Sequence, residues 1–148
     1  MKKFIYSLIS AIFLLPGIYA QNPWQWQNPL PQGNGLFSGV ALDEQSYVAV
    51  GAVGTIIHTT DQGANWENYY TGVPAFLYSV SFRSASAGTA VGDGGIIINT
   101  TNQGQSWTMA ASPVSANLWG VFYADYSTGY ACGEGGALIK TIDGGTTW

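Results

Sequence analysis

The stretch that decides the fold spans residues 77–107 and reads LYSVSFRSASAGTAVGDGGIIINTTNQGQSW. The same pattern recurs 41 positions earlier and 41 positions later without a gap, and residues 36–67 match residues 77–108 at thirteen of 32 positions. The matches include a leucine that opens each unit and a tryptophan that closes it. These are Leu36, Leu77 and Leu118, then Trp66, Trp107 and Trp148. The chain is therefore built from an internal repeat.

Each repeat contains four strand-like segments. In the second unit they are residues 77–83 (strand a), 88–92 (strand b), 96–100 (strand c) and a strand d that starts at 107. Segment 96–100 is a continuous apolar run, as expected of a strand that is covered on both faces. A glycine-rich turn, Gly92-Asp93-Gly94-Gly95, separates strands b and c. A period near 40 residues with four strands predicts an all-β fold, a β-propeller of four-stranded antiparallel blades.

The turn between strands c and d carries the most specific local motif, T-x-[DN]-x-G-x-x-W. The short Asp or Asn side chain accepts backbone N–H bonds across the turn, and the glycine supplies the backbone conformation that closes it. The tryptophan ring then folds back over the hairpin. The three copies are Thr59, Asp61, Gly63 and Trp66; Thr100, Asn102, Gly104 and Trp107; and Thr141, Asp143, Gly145 and Trp148.

This motif resembles the Asp-box, the bacterial neuraminidase (BNR) repeat. The whole blade, with its A-V-G-x-G-G-x-I-x-x-T and D-G-G-x-x-W elements, is similar to the propeller family of the photosystem II stability and assembly factor. The resemblance covers residues 22–148. It implies an exported, non-catalytic scaffold whose ligands meet the face formed by the b–c turns and the d–a loops.

The segments outside the repeats predict export and an incomplete ring. Residues 1–20 read as a secretory signal peptide, because Lys2 and Lys3 precede an apolar run too short to span a bilayer comfortably. We expect no membrane span after cleavage, and a secreted, periplasmic or cell-surface location. Residues 22–31 are interpreted as an orphan outer strand, followed by blades at 36–72, 77–113 and 118–148. Because closed propellers need four to eight blades, we expect further blades downstream of this partial propeller, which spans residues 21–148.

Charge excludes one class of partner. Once Lys2 and Lys3 are removed, the chain keeps only Arg83 and Lys140 as fixed cations against eight carboxylates. Binding to a phosphate backbone needs a basic patch, so nucleic acid is not expected as a partner.

The candidate binding residues lie on the b–c side of the blades. Phe37, Tyr78 and Trp119 share one repeat position at the start of strand a. Asp93 and Glu134 share a position in the b–c turn. Aromatic rings beside carboxylates can stack sugars or dock a peptide, so we expect a protein or glycan partner. The alternative is that the rings pack between blades and the carboxylates are solvated turn residues.

Catalysis has weaker support in the sequence. Asp61 and Asp143 correspond to Asn102, which cannot act as an acid or base, so a structural role is expected for all three. The alternative function is a glycoside hydrolase of sialidase or glucanase type with its catalytic residues mostly outside these 148 residues. Arg83 alone cannot supply the arginine cluster of a sialidase. A literal role in photosystem assembly is a third hypothesis, which rests on analogy of fold.

Metal and cofactor chemistry is not predicted. His58 aligns with Asn99 and Lys140, a variable position that we expect to be exposed, and no second histidine exists to share a metal. Cys132 is the only cysteine and aligns with Val50 and Val91, so we expect a small buried apolar residue. We predict no metal site and no cofactor.

Overall fold

The computed structural model describes residues 33–148. The predicted signal peptide and the predicted orphan strand at 22–31 lie outside the described residues. Three antiparallel sheets follow one another along the chain, and the predicted all-β class is confirmed. The first sheet contains β1 (Leu36–Ala41), β2 (Tyr47–Gly51), β3 (Thr55–Thr59) and β4 (Glu67–Tyr70). The second contains β5 (Leu77–Phe82), β6 (Gly88–Gly92), β7 (Ile97–Thr100) and β8 (Thr108–Ala110), and the third β9 (Leu118–Tyr123), β10 (Gly129–Gly133) and β11 (Leu138–Thr141).

Each sheet is a simple meander in which sequential strands are neighbours. The register repeats with the sequence: Ala49 pairs with Ile57, Ala90 with Ile98, and so on into the third sheet. Strand d of the second blade was predicted to start at Trp107, but it begins one residue later, at Thr108. The Trp107 indole instead turns back and donates a hydrogen bond to the Gly104 carbonyl at 2.8 Å. Between residues 33 and 148 the chain offers no helix of the length and apolarity that a membrane crossing requires.

The blades stack with their innermost strands side by side. The Val80 amide donates to Ser38 Oγ at 3.3 Å, and the Val121 amide donates to Ser79 Oγ at 3.2 Å, so β1, β5 and β9 succeed one another at equivalent positions. Leu77 and Leu118 are fully buried between blades. Burial of such a side chain is worth about 1.5–3 kcal/mol, so the blade interfaces are the core of the molecule.

Two apolar clusters fill the interfaces. The first joins blades one and two, and the second joins blades two and three. The buried members of the first are Val48, Val50, Ile56, Leu77, Val80, Ala90 and Ile98. Those of the second are Val91, Ile97, Leu118, Val121 and Ala131, with Trp148 packed against them.

Two predictions about burial are wrong, and both errors concern blade stacking. His58 is buried, with 2% of its surface exposed, because it projects from the same face of β3 as Ile56, the face that the second blade covers. Cys132 is exposed, whereas its equivalents Val50 and Val91 are fully buried. Each of those valines packs against the next blade along the chain. Within residues 33–148 no further blade covers the third sheet, so Cys132 is exposed.

Candidate functional site

A β-bulge opens the innermost strand of every blade. Pairing shifts between Leu36 and Ser38 in the first blade and between Leu77 and Ser79 in the second. In the third, Leu118 and Gly120 pair with adjacent residues of β10. The unpaired residues are the predicted aromatic ones, Phe37, Tyr78 and Trp119. A bulge bends the strand and re-aims its side chain, which turns this repeat position away from the ladder.

A close backbone approach ties the b–c turn of each blade to the loop before its strand a. A Cβ added to Gly92 would lie 1.9 Å from the Phe76 carbonyl oxygen. The same carbonyl accepts the Asp93 amide at 3.0 Å. Blades one and three repeat the arrangement, with Gly51 against Gly35 and Gly133 against Asn117. Only glycine fits such an approach, so the turn and the loop form one rigid surface, called here the b–c face.

Three rings come together on the b–c face where blades one and two meet. The ring centroid of Phe37 lies 5.8 Å from that of Phe76 and 5.8 Å from that of Tyr78. Phe76 and Tyr78 meet edge to face at 6.3 Å. Phe37 remains 50% exposed and Phe76 40% exposed. The rings therefore pack on one another, as the alternative interpretation held, and still present an apolar surface to solvent.

Phe76 was not predicted from the sequence. It lies in the d–a loop, where its repeat equivalents are Gly35 and Asn117, so the repeat carried no aromatic signal at this position. Its proximity to a predicted ring, two residues before Tyr78, was the one available signal.

Asp93 holds this ring cluster in place. Its Oδ1 accepts the Tyr78 hydroxyl at 2.6 Å, and its Oδ2 accepts the Phe76 amide at 3.0 Å. The bond to Asp93 is the main reason that the pKa of Tyr78 is raised above its usual value of 10.0, and the charge of Glu134 adds to the effect. Both oxygens of Asp93 are engaged, so the carboxylate acts as a positioning group for the rings.

Trp119 and Glu134 lie at the corresponding position of the third blade and are differently arranged. Trp119 is 57% exposed, and Glu134 is exposed as well. Within the part of the chain that the structure describes, neither side chain makes a hydrogen bond. The neighbouring Asn117 side chain accepts the Gly94 amide at 2.8 Å, which links the b–c turn of the second blade to the d–a loop before the third. Within residues 33–148, the Trp119 and Glu134 side chains are therefore exposed to solvent on the b–c face.

The c–d turns lie on the opposite face and are closed by their own hydrogen bonds. In the first blade, Thr59 Oγ1 donates to Asp61 Oδ1 at 2.7 Å and accepts the Gly63 amide at 3.0 Å. Asp61 Oδ1 also accepts the Asn65 amide at 2.8 Å. The other two turns repeat this network, with Asn102 and Asp143 as the acceptors.

These bonds favour the charged form of the turn carboxylates. Hydrogen bonds from Asn65 lower the pKa of Asp61 to about 2, and hydrogen bonds from Thr147 lower the pKa of Asp143 to about 2. A carboxylate of this kind stays ionised at neutral pH and cannot serve as a general acid there. Asn102 fills the same place with an amide, which indicates that the position needs an acceptor and not a proton donor.

The two fixed cations of the described residues lie away from the b–c face. Arg83 donates from Nε to the Gly144 carbonyl at 3.0 Å, in the c–d turn of the next blade, and lies over the Tyr126 ring. Lys140 lies 5.6 Å from the Tyr130 ring, next to the end of β11 that leads into the c–d turn. The b–c face of residues 33–148 therefore carries carboxylates and rings but no cation. No three His, Cys, Asp or Glu residues within that range are grouped so that they could hold a metal ion.

Comparison with known proteins finds similarity only among solved structures. No family model matches the chain, and no curated protein does. YCF48 bound to a D1 peptide superimposes with a TM-score of 0.72 at 25% identity, over 80% of this chain and 41% of that one. YCF48 from Cyanidioschyzon merolae gives 0.70 at 23% identity, over 81% and 40%. An ancestral GH74 enzyme gives 0.60 at 15% identity, over 76% and 18%.

These likenesses confirm the predicted architecture, a β-propeller similar to the photosystem II assembly factor YCF48. A WD40 propeller domain of Doa1 also matches, with a TM-score of 0.50. The chain spans about two fifths of the length of the YCF48 structures it matches.

Proposed function

We propose that this chain belongs to an exported, non-catalytic β-propeller scaffold that binds a peptide segment of a partner protein across its b–c face. The observation that carries the proposal is the ring cluster of Phe37, Phe76 and Tyr78, held by Asp93 at a blade junction and still open to solvent. Rigid aromatic rings offer a large contact area at a low cost in side-chain entropy, which suits them to peptide docking. The likeness to YCF48, one structure of which contains a D1 peptide, supports the same use of the fold.

The distribution of carboxylates supports a non-catalytic role. A glycosidase needs two carboxyl groups placed about 5–10 Å apart around the scissile bond, one of them able to donate a proton. Asp93 is bound on both oxygens by protein donors, and the c–d turn carboxylates are held ionised on the other face. Of the b–c turn carboxylates in residues 33–148, only that of Glu134 makes no hydrogen bond.

A displayed peptide library tests the proposal with the full-length chain. We expect peptides enriched on the wild-type protein to lose binding to Phe37→Ser and Trp119→Ala, and to keep it on Met109→Ala. Met109 is a matched control, since it is 67% exposed and lies on the outer strand β8. Circular dichroism checks that each variant folds. If the enriched peptides bound the Phe37→Ser, Trp119→Ala and Met109→Ala variants equally well, the b–c face would not be the binding site.

The same variants distinguish the glycan and hydrolase alternatives. Binding to a glycan array that depends on Trp119, without peptide enrichment, would replace the peptide by a sugar. Release of sugar by the wild-type chain that Glu134→Gln abolishes would contradict the non-catalytic role.

Export is tested separately. We expect a bacterial host to secrete the chain across its inner membrane and to cleave it before Gln21, which N-terminal sequencing would detect. A mature chain that still begins at Met1 would contradict this part of the proposal.

A further inference from the structure

We infer that the peptide held on the b–c face pairs an apolar side chain, which contacts the junction of blades one and two, with a basic side chain, which contacts Trp119 and Glu134. The inference rests on the proposed function and names the chemistry of the partner.

The charge of the face selects a cation. Glu134 is an exposed carboxylate whose oxygens have no hydrogen bond within residues 33–148, and the exposed ring of Trp119 occupies the neighbouring bulge. Among aromatic rings, tryptophan binds a cation most favourably, and the cation in such contacts is more often Arg than Lys. Since Arg83 and Lys140 lie elsewhere, nothing on this face of the described chain neutralises the carboxylate. An anionic partner would meet repulsion from Glu134 and Asp93.

A strained residue marks the apolar end of the surface. Val53 adopts a left-handed backbone with φ of 56°, whereas the same position in the other blades is Gly94 and Gly135. A β-branched residue with positive φ is an outlier, because its Cβ crowds the backbone. Val53 gains no burial in return, since its side chain is 44% exposed.

The strained residue Val53 lies at the edge of the candidate binding surface. The next residue, Gly54, donates its amide to the Ala75 carbonyl at 2.6 Å, which places Val53 beside the d–a loop that carries Phe76. Strain that persists at an exposed position points to a functional contact. Val53 therefore adds an exposed apolar side chain next to the d–a loop that carries Phe76.

Blade spacing sets the separation of the two side chains. At this repeat position the rings of neighbouring blades lie 5.8 Å apart, as Phe37 and Tyr78 show. Trp119 is one such step from Tyr78 and two from Phe37, so it lies roughly 6–12 Å from the ring cluster. An extended peptide rises about 3.3 Å per residue, so this distance corresponds to about two to four residues. We expect a basic residue about three positions from an apolar one, as in the heptapeptide GLAARAG.

Labelled synthetic peptides test the inference on the full-length chain. The probe is fluorescein-GLAARAG, and its matched forms replace Arg by Gln, Arg by Glu, or Leu by Ser. We expect the Gln form to bind about fivefold more weakly, in line with one exposed cation–π contact and one exposed ion pair. The Glu form should bind more weakly still. Raising the salt concentration should weaken the Arg form more than the Gln form.

Protein variants show which residues contact the basic and the apolar side chains of the peptide. Glu134→Gln should reduce the preference for Arg over Gln at least twofold, and Glu44→Gln should leave it unchanged. Glu44 is the matched control, because it is an exposed carboxylate in the a–b turn on the other face. Val53→Gly should weaken the Leu form about twofold and leave the Ser form unaffected, without lowering the urea midpoint of unfolding.

The outcomes separate this inference from the proposed function. Library peptides that depend on Phe37 and Trp119 but show no preference for a basic residue would overturn the inference and leave the proposed function intact. A GLAARAG probe that binds no better than its Glu form would overturn the inference too. Equal preference for Arg in the Glu134→Gln and wild-type chains would show that the basic residue binds elsewhere.

Discussion

Replacing Gly92 by alanine tests how the fold builds the b–c face. The added Cβ would lie 1.9 Å from the Phe76 carbonyl oxygen and 2.9 Å from its carbon, and both are backbone atoms that no rotamer change can move away. The backbone of Gly92 has a φ of −168°, an extended conformation open to any residue, so the effect is steric and not conformational. The d–a loop must therefore separate from the b–c turn.

The expected cost follows from two contributions. Overpacking that shifts the backbone costs about 1–3 kcal/mol. The hydrogen bond from the Asp93 amide to the Phe76 carbonyl, 3.0 Å long, is lost with it and is worth about 1 kcal/mol. Together we expect the free energy of unfolding to fall by about 2–4 kcal/mol. Because Asp93 holds Tyr78 and Phe76, the ring cluster should also open.

Urea denaturation measures the cost, and nuclear Overhauser effects between the Phe37 and Tyr78 rings report the cluster. Gly39→Ala is the matched control. Its Cβ would meet the nearest atom, the Val48 carbonyl oxygen, at 3.4 Å, so its effect should stay within about 1 kcal/mol. A Gly92→Ala protein as stable as the control, with its ring contacts intact, would refute the claim that the turn and the loop form one rigid surface.

Three further predictions concern the turns and the blade interface. Trp107→Phe should lower the free energy of unfolding in urea by about 1 kcal/mol more than Trp66→Phe does, because of these two indoles only that of Trp107 donates a hydrogen bond. Equal losses of stability in the two variants would contradict this. The stability that the bond between Asp61 and the Asn65 amide contributes should fall as the pH drops from about 4 towards 2, since the folded pKa of about 2 lies below the unfolded value of 3.8; the bond itself should be lost near pH 2, so the Asn65 amide resonance should titrate with a midpoint near 2, and a midpoint near 4 would exclude the bond. Burial lowers the pKa of His58 below its usual 6.5, so the unfolded chain binds the proton first and stability falls as pH drops below about 6.5; His58→Asn should flatten that dependence between pH 5 and 7 in urea melts, and an unchanged slope would contradict it.

The sequence predicted those features that each repeat forms by itself. The c–d turns are an example, because the threonine, the Asp or Asn side chain and the glycine amide lie within a few residues of one another. Strand bounds followed for the same reason, to within a residue at Trp107. Such local networks leave the same signal in every copy.

Features that depend on a neighbouring blade could not be predicted in this way. His58, Asn99 and Lys140 are equivalent in sequence, but His58 is covered by the second blade while Lys140 is exposed. The prediction that Cys132 is buried was wrong for the opposite reason, because no described blade covers it. Phe76 contributes to the candidate site from a loop position whose residue type differs between the repeats. The bulges at Phe37, Tyr78 and Trp119 are not marked by any characteristic residue type in the sequence.

The most direct test of the account is a titration of the isotopically labelled full-length chain with GLAARAG, followed through its tryptophan indole N–H resonances. The account predicts that the Trp119 resonance shifts with peptide concentration while those of Trp107 and Trp148, in the c–d turns, stay in place. Movement of the c–d turn resonances with Trp119 unchanged would place the ligand on the opposite face and contradict the account.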